Sequence, residues 1–298
     1  MLYSFQVEGD MQEKMHSIYV DDGFRTYRLI ARAEHTMHVY TNLPVSKRPR
    51  LTLPFPASVS ELSCGPDSYM SSEQKEKNGS LIGHDTPYLK SVRGNPKRAV
   101  ITFPHYKGHG GWPAPFPVFD GEKLGLDDCL YLSFQDPYFH LGSYLLSDNF
   151  GADPKPGVLN SIRGELKSYG LKESDVSLFG ASKGAATALM VSEYLEGNQL
   201  VVCSLSTDLD VPIRKSLYSH LGTALDYYGI TYPSTIDLLL SEAEKKDVHW
   251  FYSIGDDAAN CGNEVREARY LSKYPSPVEH ARVAVTNLPK IADLVSNR

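Results

Sequence analysis

Residues 177–189 read SLFGASKGAATAL, and within them Ser182 stands between Gly180 and Gly184 in the pattern G-x-S-x-G. The apolar run before it reads as a strand. The alanine-rich run after it reads as a helix over 182–197, closed by Gly197. A serine at such a strand-to-helix turn is a candidate nucleophile. The turn has to be tight, so the residues two before and two after must be small if strand and helix are to approach. Gly180 and Gly184 meet that need, and Ala185 and Ala186 extend it. The helix start also aims N–H groups at the serine, which makes the Lys183 amide a candidate oxyanion donor. The competing reading is an ordinary serine at a glycine-rich helix start.

The surrounding sequence supplies the strand-and-helix context. Short apolar runs at RAVITF (98–103), CLYLSF (129–134), LVVCSLS (200–206) and VHWFYSIG (248–255) suit strands buried on both faces. Between them, 157–170 carries Val158, Ile162, Leu166 and Tyr169 at helical spacing and ends at Gly170. Residues 234–246 read as a helix capped by Ser234 or Thr235. Residues 263–274 read as another helix, and PKIADLVSN as a third with proline in its first turn. Strands alternating with helices imply a mostly parallel sheet covered on both faces, with ligands bound beyond the carboxyl ends of the strands.

Residues 1–95 have a different character. SIYVDDGFRTYRLIARA and MHVYTNL alternate aromatic and β-branched residues, as short antiparallel strands do. The tract SCGPDSYMSSEQKEKNGS is polar and turn-rich, a loop. The expected division is therefore an N-terminal β-rich segment or small domain over 1–95 and an α/β domain over 96–298.

Composition excludes several classes. With 41% hydrophobic and 22% charged residues the chain is a folding one. A net charge of −6 without a basic stripe argues against nucleic acid. Cys64, Cys129, Cys203 and Cys261 form no C-x-x-C pair, and Cys129 and Cys203 sit in apolar runs as reduced thiols would. His105 and His109 lie among prolines and glycines, not on one helix face, and no dinucleotide fingerprint is present. No metal and no cofactor are expected. The amino-terminal sequence has no signal-like apolar stretch and no run reaches the length of a membrane span. The expected location is the cytoplasm.

From about residue 97 onward the chain resembles the α/β-hydrolases, with FGASKG as the nucleophile elbow. YLSFQDPYFHLGSYLLSDNFG followed by LFGASKGAATAL more narrowly resembles α/β-hydrolase-like proteins of bacterial capsule and surface-glycan biosynthesis and accessory secretion. The resemblance implies the chain order nucleophile, acid, histidine. His220, His249 and His280 follow Ser182. His249 falls inside an expected strand, as a structural residue would. His220 falls in an expected helix. His280, shortly before the terminal helix, is where the resemblance places the base. A short strand near SPVE would put it at a carboxyl end, whereas a strand at EHARVAV would put it at the wrong end.

The acid implied by the resemblance follows the penultimate strand, at Asp256 or Asp257, with Asp208 as runner-up. Either of the aspartate pair also suits a helix cap. The second oxyanion donor falls in HYKGHGG, at Tyr106, Gly110 or Gly111, which loosely resembles the esterase H-G-G-G loop; a plain proline- and glycine-rich loop is the equal alternative. Lys183 departs from common elbows. It either faces solvent, pairs with Asp136 or another carboxylate, or attracts an anionic substrate. Asp136 itself reads first as a turn-forming Asp-Pro.

These readings converge on a serine hydrolase or acyltransferase acting on an ester, amide or thioester of a small-molecule, glycan or acyl substrate. The alternative is a catalytically silent scaffold of the same fold in a glycan or secretion assembly. The N-terminal segment would shape substrate access or hold a protein partner. A further rival uses the helix start at Ser182 only to bind an anion.

Overall fold

The structure, a computed structural model, describes residues 2–8, 16–21, 26–31, 36–40, 50–53, 58–64, 88–105, 125–136, 138, 142–148, 151–215, 219–255, 265 and 267–297. Its centre is a seven-stranded sheet made of β7 (Tyr88–Arg93), β8 (Arg98–Phe103), β9 (Cys129–Phe134), β10 (Val176–Ala181), β11 (Gln199–Cys203), β12 (Val248–Ser253) and β13 (Ser272–Ser276). The spatial order is β13-β12-β11-β10-β8-β9-β7. Neighbours from β9 to β13 pair in parallel, and only β7 runs antiparallel, against β9. This is the mostly parallel sheet expected from the apolar runs. β7 lies before residue 96 yet forms one edge of this sheet.

The strands alternate in the side they present. Ile101, Leu132, Leu178, Val202 and Trp250 join one core with Val158 and Ile162 of α1 (Lys155–Ser168) and Leu189 of α2 (Lys183–Ser192). Leu239 of α5 (Thr235–Ala243) joins the same core. Val100, Tyr131, Phe179, Val201 and Phe251 join a second core with Val283 of α6 (Val283–Thr286) and with Ile291 and Val295 of α7 (Leu288–Ser296). Both faces are therefore buried, which is why the strands read as continuous apolar runs. Between β11 and α5 the chain adds α3 (Asp210–Lys215) and α4 (Ser219–Tyr228), packed on each other. Arg98 at the start of β8 donates from Nη1 to the Val295 and Ser296 carbonyls and so holds the end of α7.

Ahead of this sheet come two antiparallel three-stranded sheets. One has the order β4-β1-β6, from β4 (Thr36–Tyr40), β1 (Leu2–Glu8) and β6 (Ser58–Cys64). The other has the order β3-β2-β5, from β3 (Thr26–Ala31), β2 (His16–Asp21) and β5 (Arg50–Thr52). The β2–β3 and β4 segments are those whose alternation suggested strands.

The helical spacing read over 263–274 is only partly realised. Val265 and Glu267 are helical, but Ser272–Ser276 form β13, in register with β12 from His249↔Ser272 to Ser253↔Ser276. Pairing to β12 overrides local spacing here. The strand expected near SPVE sits four residues earlier, and EHARVAV is no strand: it is a 3₁₀ turn, His280–Arg282, running into α6. His280 therefore follows the carboxyl end of β13, as the preferred reading required. Among the described residues no helix is long and apolar enough to cross a membrane.

Candidate active site at the carboxyl edge of the sheet

The chain leaves β8 to β9 on one side, then returns through α1 to β10 on β8's other side. The carboxyl ends of β8 and β10 thus flank a topological switch point, where such sheets leave a crevice. Ser182 stands there, directly after β10. Its backbone has φ 52° and ψ −119°, a region that a residue with a Cβ seldom occupies. Ser182 is the N-cap position of α2, yet its side chain makes no capping hydrogen bond. An ordinary helix-starting serine would spend its hydroxyl on the helix. Here the hydroxyl is held away from that use by the backbone conformation.

The glycines explain how the turn is possible. A Cβ at Gly180 would lie 2.0 Å from the Gly184 carbonyl oxygen. One at Gly184 would lie 2.4 Å from the Phe103 carbonyl oxygen at the end of β8. Both are far inside contact distance, so strand β10, helix α2 and the end of β8 meet backbone to backbone. Every residue of α2 is buried.

A short chain of hydrogen bonds joins the elbow to the histidine. The Ser182 N–H donates to the Cys203 carbonyl at 2.9 Å. The next residue, Ser204, donates its hydroxyl to the His280 carbonyl at 2.8 Å and its N–H to the Phe251 carbonyl. Ile254 donates to the Ser276 carbonyl at 2.9 Å. These bonds bring the ends of β10, β11, β12 and β13 to one edge, with the Ser182 residue half-buried and His280 exposed.

The other histidines and the runner-up acid have the following surroundings. His249 is buried in β12, with Nδ1 3.0 Å from the Tyr274 hydroxyl and Nε2 3.0 Å from an Asp247 carboxylate oxygen. It is the structural residue the sequence suggested. His220 lies in α4. The exposed Asp208 accepts from the Asp210 N–H at 2.9 Å and so caps the start of α3. Asp256, Asp257, Tyr106, Gly110 and Gly111 lie outside the described residues.

Lys183 and Asp136 answer the question left open by the sequence. The Lys183 ammonium is 2.7 Å from an Asp136 carboxylate oxygen, and their side chains are 3% and 1% exposed. Asp136 is thus no simple turn residue. It also accepts from the Ser143 N–H, the Ser143 hydroxyl and the Tyr144 N–H. The Tyr144 phenol is pushed well above its ordinary pKa by burial and then by the Asp136 charge. Sequence reasoning missed Ser143, Tyr144 and Ser204. The non-glycine positive φ values at Tyr144, Leu145 and Ser204 follow from tertiary constraint and carry no local sequence signal.

Beyond β11 a cavity of about 670 Å³ opens between α3, α4 and the start of α5. Asp208, Asp210, Asp226, Arg214, Tyr232 and Thr231 line it. The Arg214 guanidinium is engaged by both Asp226 oxygens, at 2.8 and 2.9 Å, and by Asp210 at 3.2 Å. Tyr232 donates its hydroxyl to Asp210.

No family model matches the chain, and no curated protein matches it in sequence. Solved structures do match in shape. The capsule O-acetyltransferase of Neisseria meningitidis serogroup A superposes with a TM-score of 0.53 at 16% identity, over 74% of this chain and 94% of its own. The glycosylation-associated Gap123 complex from Streptococcus agalactiae superposes with a TM-score of 0.52 at 12% identity, over 100% of this chain and 64% of its own. Together with the sheet order, the covered faces and the strained serine between β10 and α2, these likenesses identify the chain as having the α/β-hydrolase fold.

Proposed function

We propose that the protein is a serine acyltransferase or hydrolase. Ser182 Oγ attacks the carbonyl carbon of an ester, amide or thioester. His280 takes the hydroxyl proton and hands it to the leaving group, and Asp256 or Asp257 orients the imidazole. The Lys183 N–H, at the first position of α2 where no intrahelical acceptor exists, joins an N–H from 106–111 to stabilise the tetrahedral oxyanion. A hydroxyl of an acceptor or a water molecule then releases the acyl group from Ser182.

The observation that carries this reading is the Ser182 backbone, φ 52° and ψ −119°, with its side chain not spent on capping. Strain of this kind costs on the order of 1–3 kcal/mol and persists where the surroundings enforce it. An anion-binding helix start needs no such conformation, so the strain favours covalent chemistry over the anion-site rival.

A glycan acceptor is part of the proposal. The superposed O-acetyltransferase acts on a capsule and the superposed complex is associated with glycosylation. The cavity beyond β11 sets three carboxylates against one guanidinium already engaged by two of them, which suits a polyhydroxylated, uncharged ligand better than an anionic one. A cytoplasmic location belongs to the same proposal and fits the unpaired, buried thiols of Cys129 and Cys203.

A fluorophosphonate probe tests the chemistry. Labelling of the wild-type protein that disappears in Ser182→Ala supports it. Folded wild-type protein that stays unlabelled across pH 6–9 would favour the second reading, a silent scaffold. That reading draws on the Gap123 likeness, which spans the whole chain including the N-terminal sheets. The N-terminal segment is then the surface for a protein partner.

A further inference from the structure

We propose that Lys183 and Asp136 form a positioning pair, a buried ion pair that staples the turn at 142–146 to the Ser182 elbow so that each holds the other's strained backbone. Lysine at this place carries two penalties. It is the first residue of α2, where the helix dipole disfavours positive charge, and its side chain is buried. Ordinary packing of α2 would be served by an apolar residue. The ammonium has a purpose only through what it touches, and it touches Asp136 at 2.7 Å.

Asp136 is the organising anion of the turn. Its carboxylate accepts from the Ser143 N–H at 2.9 and 2.8 Å and from the Tyr144 N–H at 2.8 Å. That turn is itself strained. Tyr144 and Leu145 are consecutive non-glycine residues at φ 60° and 55°, and Gly142 has φ 86°. A Cβ at Gly142 would stand 2.1 Å from Lys183 Nζ and 2.6 Å from Asp136 Oδ2, so the turn closes directly over the pair. The Tyr144 ring, 6.0 Å from Lys183 Nζ, completes the cover. On the other side, Lys183 is bonded covalently to Ser182, the most strained point of the elbow. Strained segments persist when their surroundings over-determine them. The Asp136–Lys183 contact is the point at which these two segments constrain one another.

The test compares wild type with the near-isosteric variants Asp136→Asn and Lys183→Met, singly and combined. Native-state hydrogen–deuterium exchange is followed in peptides covering 142–148 and 178–186. Each single variant is expected to raise exchange at least about tenfold in both segments, with β11 unchanged. The double variant, which leaves no unpaired buried charge, recovers part of that protection. A rise confined to 142–148 in Asp136→Asn or to 178–186 in Lys183→Met, or no rise, overturns the proposal. Should a single variant fail to fold, Lys183→Arg keeps the charge but crowds Gly142. It is expected to loosen both segments by about threefold while the protein stays folded by circular dichroism; unchanged exchange in 142–148 counts against the pair.

A second readout rests on Ser182 being the nucleophile. The second-order rate of fluorophosphonate labelling should fall by about 10- to 100-fold in folded Asp136→Asn and Lys183→Met, because a displaced elbow loses orientation without losing its hydroxyl. Unlabelled wild type sinks the nucleophile reading and leaves the exchange experiment to decide the pair. Labelled wild type, with variants labelled equally fast and exchanging normally, sinks the pair alone.

Discussion

The Ser204 hydroxyl donates to the His280 carbonyl oxygen at 2.8 Å, fastening the 3₁₀ turn after β13 to the residue that follows β11. Because the Ser182 N–H is bonded to Cys203, one residue before Ser204, the proposed nucleophile and base are referred to the same short piece of backbone. Ser204→Ala should therefore act on geometry more than on stability. The lost hydrogen bond costs about 1 kcal/mol, a melting shift on the order of 2–4 °C. Fluorophosphonate labelling of Ser182 should slow about tenfold. A variant with the expected melting shift but unchanged labelling would show that His280 is placed by something else.

Gly180 and Gly184 set the closeness of β10, α2 and β8. Either glycine to alanine inserts a methyl group 2.0 or 2.4 Å from a carbonyl oxygen and should destabilise by about 3 kcal/mol, read in thermal or urea unfolding. Ser182→Gly should do the reverse. It removes the Cβ at φ 52°, and is expected to gain about 1 kcal/mol while abolishing labelling. Lower stability in Ser182→Gly than in wild type would argue that the elbow is not strained.

The acid can be assigned by substitution. Asp208→Ala removes a capping acceptor at the start of α3, expected to cost about 0.5–1 kcal/mol and to leave turnover nearly intact. Whichever of Asp256→Asn and Asp257→Asn removes the orienting carboxylate should lower turnover by on the order of 10³–10⁴ with the fold preserved. His249→Gln should lower stability through the lost Tyr274 and Asp247 contacts without abolishing labelling, whereas His280→Ala should abolish turnover. Turnover that survives His280→Ala would dismiss it as the base.

Cys129 gives a pH signature. Burial pushes its thiol from 9.0 up to about 11. The folded state thus binds its proton more tightly than the unfolded chain. The stabilisation is fully present below pH 9 and is lost as the pH rises from 9 to about 11. Denaturant midpoints should decline across that window, less so in Cys129→Ser. Thiol alkylation at pH 8 should leave Cys129 and Cys203 unmodified until the protein is unfolded.

How far the sequence could be read follows from where each constraint resides. β8 to β12 were legible because strands buried on both faces must be apolar throughout, as CLYLSF and VSLFGA are. The elbow was legible because only small residues fit where Gly180 meets Gly184. The cap of α5 was legible too, since Ser234 accepts from Asp237 as its type suggests. β13 was not. SKYPS is polar, half-exposed and carries a proline, and it is a strand only because β12 offers a ladder beside it. The Asp136–Lys183 pair was one reading among several for a similar reason. Asp-Pro is a turn signal locally, and nothing nearby in the chain singles out a partner 47 residues later in α2.

The last strand of the sheet has a consequence for how the molecule meets its own kind. β13 is five residues long and contains the exposed Pro275, which has no N–H to donate. An incoming strand from another copy would find a short and incomplete row of donors there, a poor template for extension. Sheet growth from that side is blunted by the same residue that obscured the strand in the sequence.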